Sequence, residues 1–174
     1  MTNVIWNGTS GDWTDPDNWT PDQVPVSGDT ATIAGTGTTD VSIDGSESVA
    51  VDELVMNDPL ASLDINGSLA ATEILLQSGT INNYGTLADT TVINSGGDFE
   101  FGYGLLKGDT WQGDLVVDGE GYAVVQGGLT ALSLDGTGPG AITIDGADST
   151  LLFNDTETFD NATITMGSAT GLAN

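Results

Sequence analysis

From about residue 35 onward one short pattern recurs along the chain. An apolar–any–apolar triplet is followed by Asp or Asn and then Gly. The clear copies are Val41-Ser42-Ile43-Asp44-Gly45, Leu63-Asp64-Ile65-Asn66-Gly67, Leu115-Val116-Val117-Asp118-Gly119, Leu132-Ser133-Leu134-Asp135-Gly136 and Ile142-Thr143-Ile144-Asp145-Gly146. Looser copies are Ile81-Asn82-Asn83-Tyr84-Gly85 and Phe99-Glu100-Phe101-Gly102. The glycines at 45, 67, 85, 102, 119 and 136 stand 22, 18, 17, 17 and 17 residues apart. Further strand-like runs fall between them at 49–55, 73–76, 91–93, 122–125, 151–153 and 163–166. No segment sustains a helical period; 69–76 comes nearest, and its neighbours argue for strand.

The alternating triplet sends its two apolar side chains to one side of a strand. Asp or Asn bonds its own backbone at a bend, and Gly takes the positive φ a corner needs. Two or three short strands and a marked corner in each repeat of 17 to 22 residues predict a right-handed parallel β-solenoid. Its interior is a column of Val, Ile and Leu. Seven or so coils at a spacing of ~4.8 Å give a rod roughly 34 Å long. An antiparallel β-sandwich is the alternative, since it too has short strands and frequent turns. A sandwich does not require Gly at multiples of about 17.

Residues 1–34 read differently and form the expected N-terminal cap and first strand, with coils over 35–174. Trp6, Trp13 and Trp19 lie here with Pro16, Pro21 and Pro25, and Thr30-Ala31-Thr32-Ile33 is the first expected strand. The three Trp are expected to cover the open end of the first coil, because an uncapped solenoid exposes a strand edge and an apolar cross-section. A sugar-stacking platform is the competing use of such rings. Trp111 stands alone and reads as a core or corner residue.

Composition narrows the chemistry. The chain has 174 residues, 26 acids against a single Lys107, no Arg, His or Cys, and a formal net charge of -25. One lysine cannot displace counterions from a phosphate backbone, so nucleic acid is excluded as a partner. Anionic membrane surfaces are excluded likewise, and no apolar run approaches the ~20 residues of a membrane span. The usual ligands of structural zinc, haem and iron–sulfur clusters are missing, as are the Ser–His–Asp and Cys–His devices. With 38% hydrophobic residues and mean hydropathy of -0.01, the chain still reads as a folded domain.

Aspartates gather at the expected corners: Asp44, Asp118, Asp135 and Asp145, with Asn66 and Asn83 as neutral breaks. Two carboxylates ~5 Å apart repel by about 1 kcal/mol in water and roughly 3 at an effective dielectric of 20. Calcium suits such oxygen ligands, although the G-G-x-G-x-D repeat of calcium β-rolls is absent; Gly96-Gly97-Asp98 is the nearest fragment. The acidic loop Asp12, Asp15, Asp17 and Asp22 is the candidate calcium site; otherwise mobile counterions screen the charge. Enzymes that cut acidic polysaccharides need cationic groups for the substrate and the developing anion, and only Lys107 is present. Paired carboxylates for glycoside hydrolysis carry little information in so acidic a chain. Threonine ladders such as Thr30/Thr32 and Thr163/Thr165 are interrupted at the matching repeat positions, against an ice-binding face. The chain therefore reads as non-catalytic.

The opening Trp6-Asn7-Gly8, Gly11-Asp12-Trp13, Asn18-Trp19, Val24-Pro25 and Gly28-Asp29-Thr30-Ala31-Thr32-Ile33 resembles the start of bacterial surface β-helix proteins. The class meant is the autotransporter and haemagglutinin-like adhesin passengers. The resemblance implies an exported structural or adhesive module whose partners are glycans or a host or neighbouring cell surface. The N-terminus has no basic, apolar leader and no C-terminal membrane barrel follows, so a fragment or a type I-secreted protein is expected. A second reading has coils stacking end to end into a filament through the uncapped C-terminal GSATGLAN, with cations screening the charge.

Overall fold

The computed structural model describes residues 2–35, 37–156 and 162–167. These form a parallel β-solenoid of about seven turns, with no α-helix among the described residues. Of the C-terminal GSATGLAN, residues 168–174 fall outside the described residues.

Each coil has three faces. The first comprises Asn3–Trp6, Thr30–Ile33, 53–56, 73–76, Thr91–Asn94, 110–112 and 130–132. The second comprises Ser10–Asp12, Thr39–Ile43, 61–65, 80–83 and 98–101 in one sheet. It continues as Asp114–Val117, Gly140–Ile144 and Ala162–Met166 in another. The third face comprises 48–51, 68–71, Thr86–Ala88, 105–107, 124–126 and Thr150–Phe153. These strands pair in parallel, which excludes the sandwich; Asn3–Trp6 with Trp19–Thr20 is the antiparallel strand pair.

In-register alternation builds the core. On the first face Val4, Ala31, Leu54, Ile74, Val92, Trp111 and Ala131 form one inward row through all seven coils. Every member is at most 1% exposed. Val49, Leu69, Leu87, Leu106 and Val125 form the matching row on the third face. No coil could bury these side chains alone, so each rung is stable only against its neighbours.

The chain enters the solenoid one turn earlier than the sequence suggests. Val4 already stacks on Ala31, so Thr30–Ile33 is the second rung of its face rather than the first strand. Asn3–Trp6 is too short to show a repeat by itself. The cap is the excursion that follows, from Trp13 to Asp29.

The bends also fall in a row. Asp44-Gly45, Asn66-Gly67, Tyr84-Gly85, Gly102-Tyr103, Asp118-Gly119 and Asp145-Gly146 each follow the last inward residue of a second-face strand. Two expectations need correction. Asn83 is the inward residue of its strand and wholly buried, and Tyr84 holds the corner. Asp135-Gly136 leaves the row altogether. It lies in a loop at the other end of the first-face strand 130–132, where Ser133 and Gly138 bond each other. The triplet before it imitates the repeat, yet Leu134 is exposed because the chain has already turned. The bend that continues the row is Asp145-Gly146.

Close approach of successive bends explains Gly67 and Gly85. A methyl group on Gly67 would meet the backbone carbonyl oxygens of Asp44 and Glu47, and neither can retreat without shifting a rung. At Gly45 the nearest atom would be 3.8 Å away. Gly67→Ala should therefore cost about 1–3 kcal/mol, and Gly45→Ala less than about 0.5 kcal/mol. Urea unfolding of both variants checks the contrast; equal losses would refute the stacking of bends.

The opposite corner, between third and first faces, carries a buried polar chain. The Ala71 N–H donates to the Thr90 hydroxyl, and the Thr90 N–H donates to one Asp109 oxygen at 2.8 Å. The other Asp109 oxygen accepts from the Lys107 N–H at 2.8 Å. Asp109 is 1% exposed. Burial outweighs the two N–H donors and pushes its carboxyl up to about 7.

Candidate functional site

The three N-terminal Trp pack on one another at the first coil, where Trp6 ends the first-face strand. Trp19 meets Trp6 edge-on at 5.0 Å and Trp13 at 4.9 Å, and its Nε1 donates to the Trp13 carbonyl. Trp13 and Trp19 are fully buried and Trp6 nearly so, which leaves no ring face open for a sugar. The antiparallel strand Trp19–Thr20 covers the outer edge of Asn3–Trp6.

The acidic loop is spread out rather than gathered. Asp12 accepts from the backbone and hydroxyl of Thr14, each at 2.6 Å. Asp15 accepts from the Asp17 N–H and caps the short 3-10 turn Pro16–Asn18. Asp17 and Asp22 are exposed. No three carboxylates among the described residues converge on a position for a metal ion. The corner acids Asp44, Asp118 and Asp145 stand in their row with Asn66 between the first two, and Asp135 sits apart, as described above.

Along the second face, acids on successive rungs are separated by donors. The outward row runs Asp12, Ser42, Asp64, Asn82, Glu100 in strict register. Asn82 donates to Asp64 at 2.6 Å. In the neighbouring outward row Ser10 and Ser62 donate to Asp40 from either side. Each of these hydrogen bonds sets a donor between a carboxylate and the next rung.

This order fails at one place. The strand 98–101 does not pair with the next rung, Asp114–Val117, and the face divides there into two sheets. The reason lies beneath. Phe99, Phe101 and Trp111 occupy inward positions that hold Ile, Leu, Val or Ala on most other rungs. Phe99 meets Trp111 edge-on at 5.0 Å and Phe101 at 4.9 Å. The Trp111 Nε1 donates to the Asp114 carbonyl at 3.2 Å. Such bulk cannot fit beneath two rungs at the usual ~4.8 Å spacing, and the second face opens.

The result is a cleft of about 230 Å³ lined by Phe99, Trp111, Val116 and the acids Asp98, Glu100, Asp114 and Asp118. None of the four carboxylates accepts a hydrogen bond from another described residue. Partial desolvation, then the charges of Asp118 and Asp98, hold the Glu100 carboxyl above its ordinary range, although the residue as a whole is exposed.

Round the corner from Glu100 stand all three tyrosines of the chain. Tyr103 is 74% and Tyr84 52% exposed. Tyr103 stacks on Tyr122 with ring centroids 4.7 Å apart and planes at 22°. The Tyr84 ring lies over Gly102, where a side chain would collide with it. A register shift between Gly102 and Gly104 bulges Tyr103 out of the ladder, with φ at 71°. Bulges re-aim side chains, and a tyrosine held at positive φ is strained by about 1–3 kcal/mol. Sequence reading missed this group because Tyr84 sits in one looser copy of the repeat and Tyr103 directly after the other. The available signal was the placement of Tyr84, Tyr103 and Tyr122 at even steps of 19 residues, one coil each.

Neither a family model, nor a curated protein, nor a solved structure matches this chain.

Proposed function

We propose that the chain is a non-catalytic rod of an extracellular bacterial surface or secreted protein, which adheres to glycans through its tyrosine corner. The observation that carries this reading is Tyr103. It is bulged from the ladder, strained at positive φ, and laid open beside Tyr84 and Tyr122. Core packing gains nothing from that arrangement. Flat, exposed aromatic faces with hydroxyl rims suit the apolar face of a pyranose ring and its equatorial hydroxyls. The acidic surface disfavours anionic glycans and selects neutral ones. The tryptophan cap and its antiparallel strand favour a finite rod over head-to-tail filaments, because one end of the stack is already closed.

A screen of neutral glycans followed by titration tests the reading. Tyr103→Gly should weaken binding at least about tenfold, as loss of a stacking face does. The same change should leave stability equal or raise it by up to about 1 kcal/mol, since glycine holds φ 71° without strain. Absence of binding by the native chain, or unaltered binding by Tyr103→Gly, would defeat the proposal.

A further inference from the structure

Among the described residues, the divided second face leaves two strand edges open within the stack rather than at its ends. Strand 98–101 pairs with 80–83 on one side only, and Asp114–Val117 pairs with Gly140–Ile144 on one side only. Their free edges face each other across the cleft. Unpaired backbone N–H and C=O groups at strand edges are templates for another extended chain.

The cleft continues past Asn94 and Asp114 into a second hollow of about 350 Å³ beneath the 133–139 loop, lined by Leu134, Pro139 and Ala141 among others. Each hollow is shallow, and the first is below the roughly 300–1,000 Å³ of pockets that enclose a drug-sized ligand. Two small hollows in line, edged by free strands, fit an extended segment better than a compact molecule.

Charge specifies the segment. Four acids with no donor rim an aromatic floor, whereas elsewhere on this face acids alternate with hydroxyls and amides. A guanidinium or ammonium group would supply donors to the carboxylates and lie against the Phe99 ring. A second copy of this chain cannot provide it in quantity, since each has one lysine and no arginine. We infer that the cleft between 98–101 and 114–117 receives an extended, arginine- or lysine-bearing segment of another protein. The segment's backbone pairs with the open strand edges and its cation sits over Phe99 among Asp98, Glu100, Asp114 and Asp118. This site is separate from the tyrosine corner, and neither proposal depends on the other.

The test uses a short capped peptide of alternating arginine and valine, titrated against the full chain by calorimetry. Its controls are the same peptide with glutamate for arginine and a version N-methylated along one edge. Two double variants with equal charge change are compared: Glu100→Gln with Asp118→Asn in the cleft, and Asp40→Asn with Asp52→Asn away from it. The cleft pair should weaken binding about tenfold and the remote pair less than about twofold. N-methylation and arginine-to-glutamate exchange should each abolish binding. Equal weakening by both pairs would reveal diffuse attraction to a polyanion and overturn the inference. So would full affinity of the N-methylated peptide, or no binding at all.

Discussion

Trp111→Ala is expected to lower the free energy of unfolding by about 3–5 kcal/mol. The indole is 1% exposed and occupies the inward row between Val92 and Ala131. Its removal leaves a cavity under the coil where the second face is already divided. It also removes the edge-on contact with Phe99 and the donor to the Asp114 carbonyl. Because each rung leans only on its neighbours, damage there weakens the coupling between the coils before and after it. Denaturant unfolding should show the loss, and hydrogen exchange should place it unevenly. Amides over 114–153 should exchange faster than those over 48–94. A loss below about 1 kcal/mol would mean that the aromatic group is not what fills this level of the core.

Acidification should stabilise the native chain before it destabilises it. Asp109 keeps its proton in the folded state up to about 7, whereas the unfolded chain releases it near 3.8. Between those values the folded state binds more protons, so stability rises as pH falls. From about pH 8 to about pH 5 this group alone contributes about 2–3 kcal/mol. Glu100, raised by partial desolvation and by Asp118 and Asp98, acts in the same direction. Asp29 and Asp135 act in the opposite sense. Hydrogen bonds from Thr2 and Ser133 hold them low, so their contribution is present above the ordinary carboxylate range and is lost as pH falls through their lowered values. Asp109→Asn isolates the buried group. Its amide still accepts from Thr90 but turns a donor toward the Lys107 N–H, a loss of about 1–3 kcal/mol that does not vary with pH. Unfolding curves across this range should be flatter for the variant by most of the Asp109 contribution. An unchanged pH dependence would show that Asp109 is ionised throughout.

The sequence made the solenoid readable because its core rule is local. Val41 and Ile43, or Leu63 and Ile65, announce an inward face by alternation alone, and their bends carry Asp-Gly or Asn-Gly. The same locality misleads at Leu132-Ser133-Leu134-Asp135-Gly136. There the motif is complete, but its strand has already ended on the previous face, and only the spatial row reveals that Gly146 follows Gly119. Asn83 misleads for the converse reason: an amide in the core is indistinguishable by type from an amide at a turn. The division of the second face was not legible, since it arises from summed side-chain volume. Phe99, Phe101 and Trp111 are separated in sequence and meet only when coils five and six stack. The tyrosine corner needed the coil length to be known before three scattered residues could be placed together.

The alternation of acids and donors along the second face repeats every two rungs, while the core repeats every one. Asp12, Ser42, Asp64, Asn82 and Glu100 show the longer beat. Excising the single turn that holds Asn82 would set Asp64 directly against Glu100, though the interior would close without complaint. Excising two turns would restore both patterns. Duplication or loss during descent would thus be tolerated by the pair, and rods of this kind would be expected to lengthen in even increments.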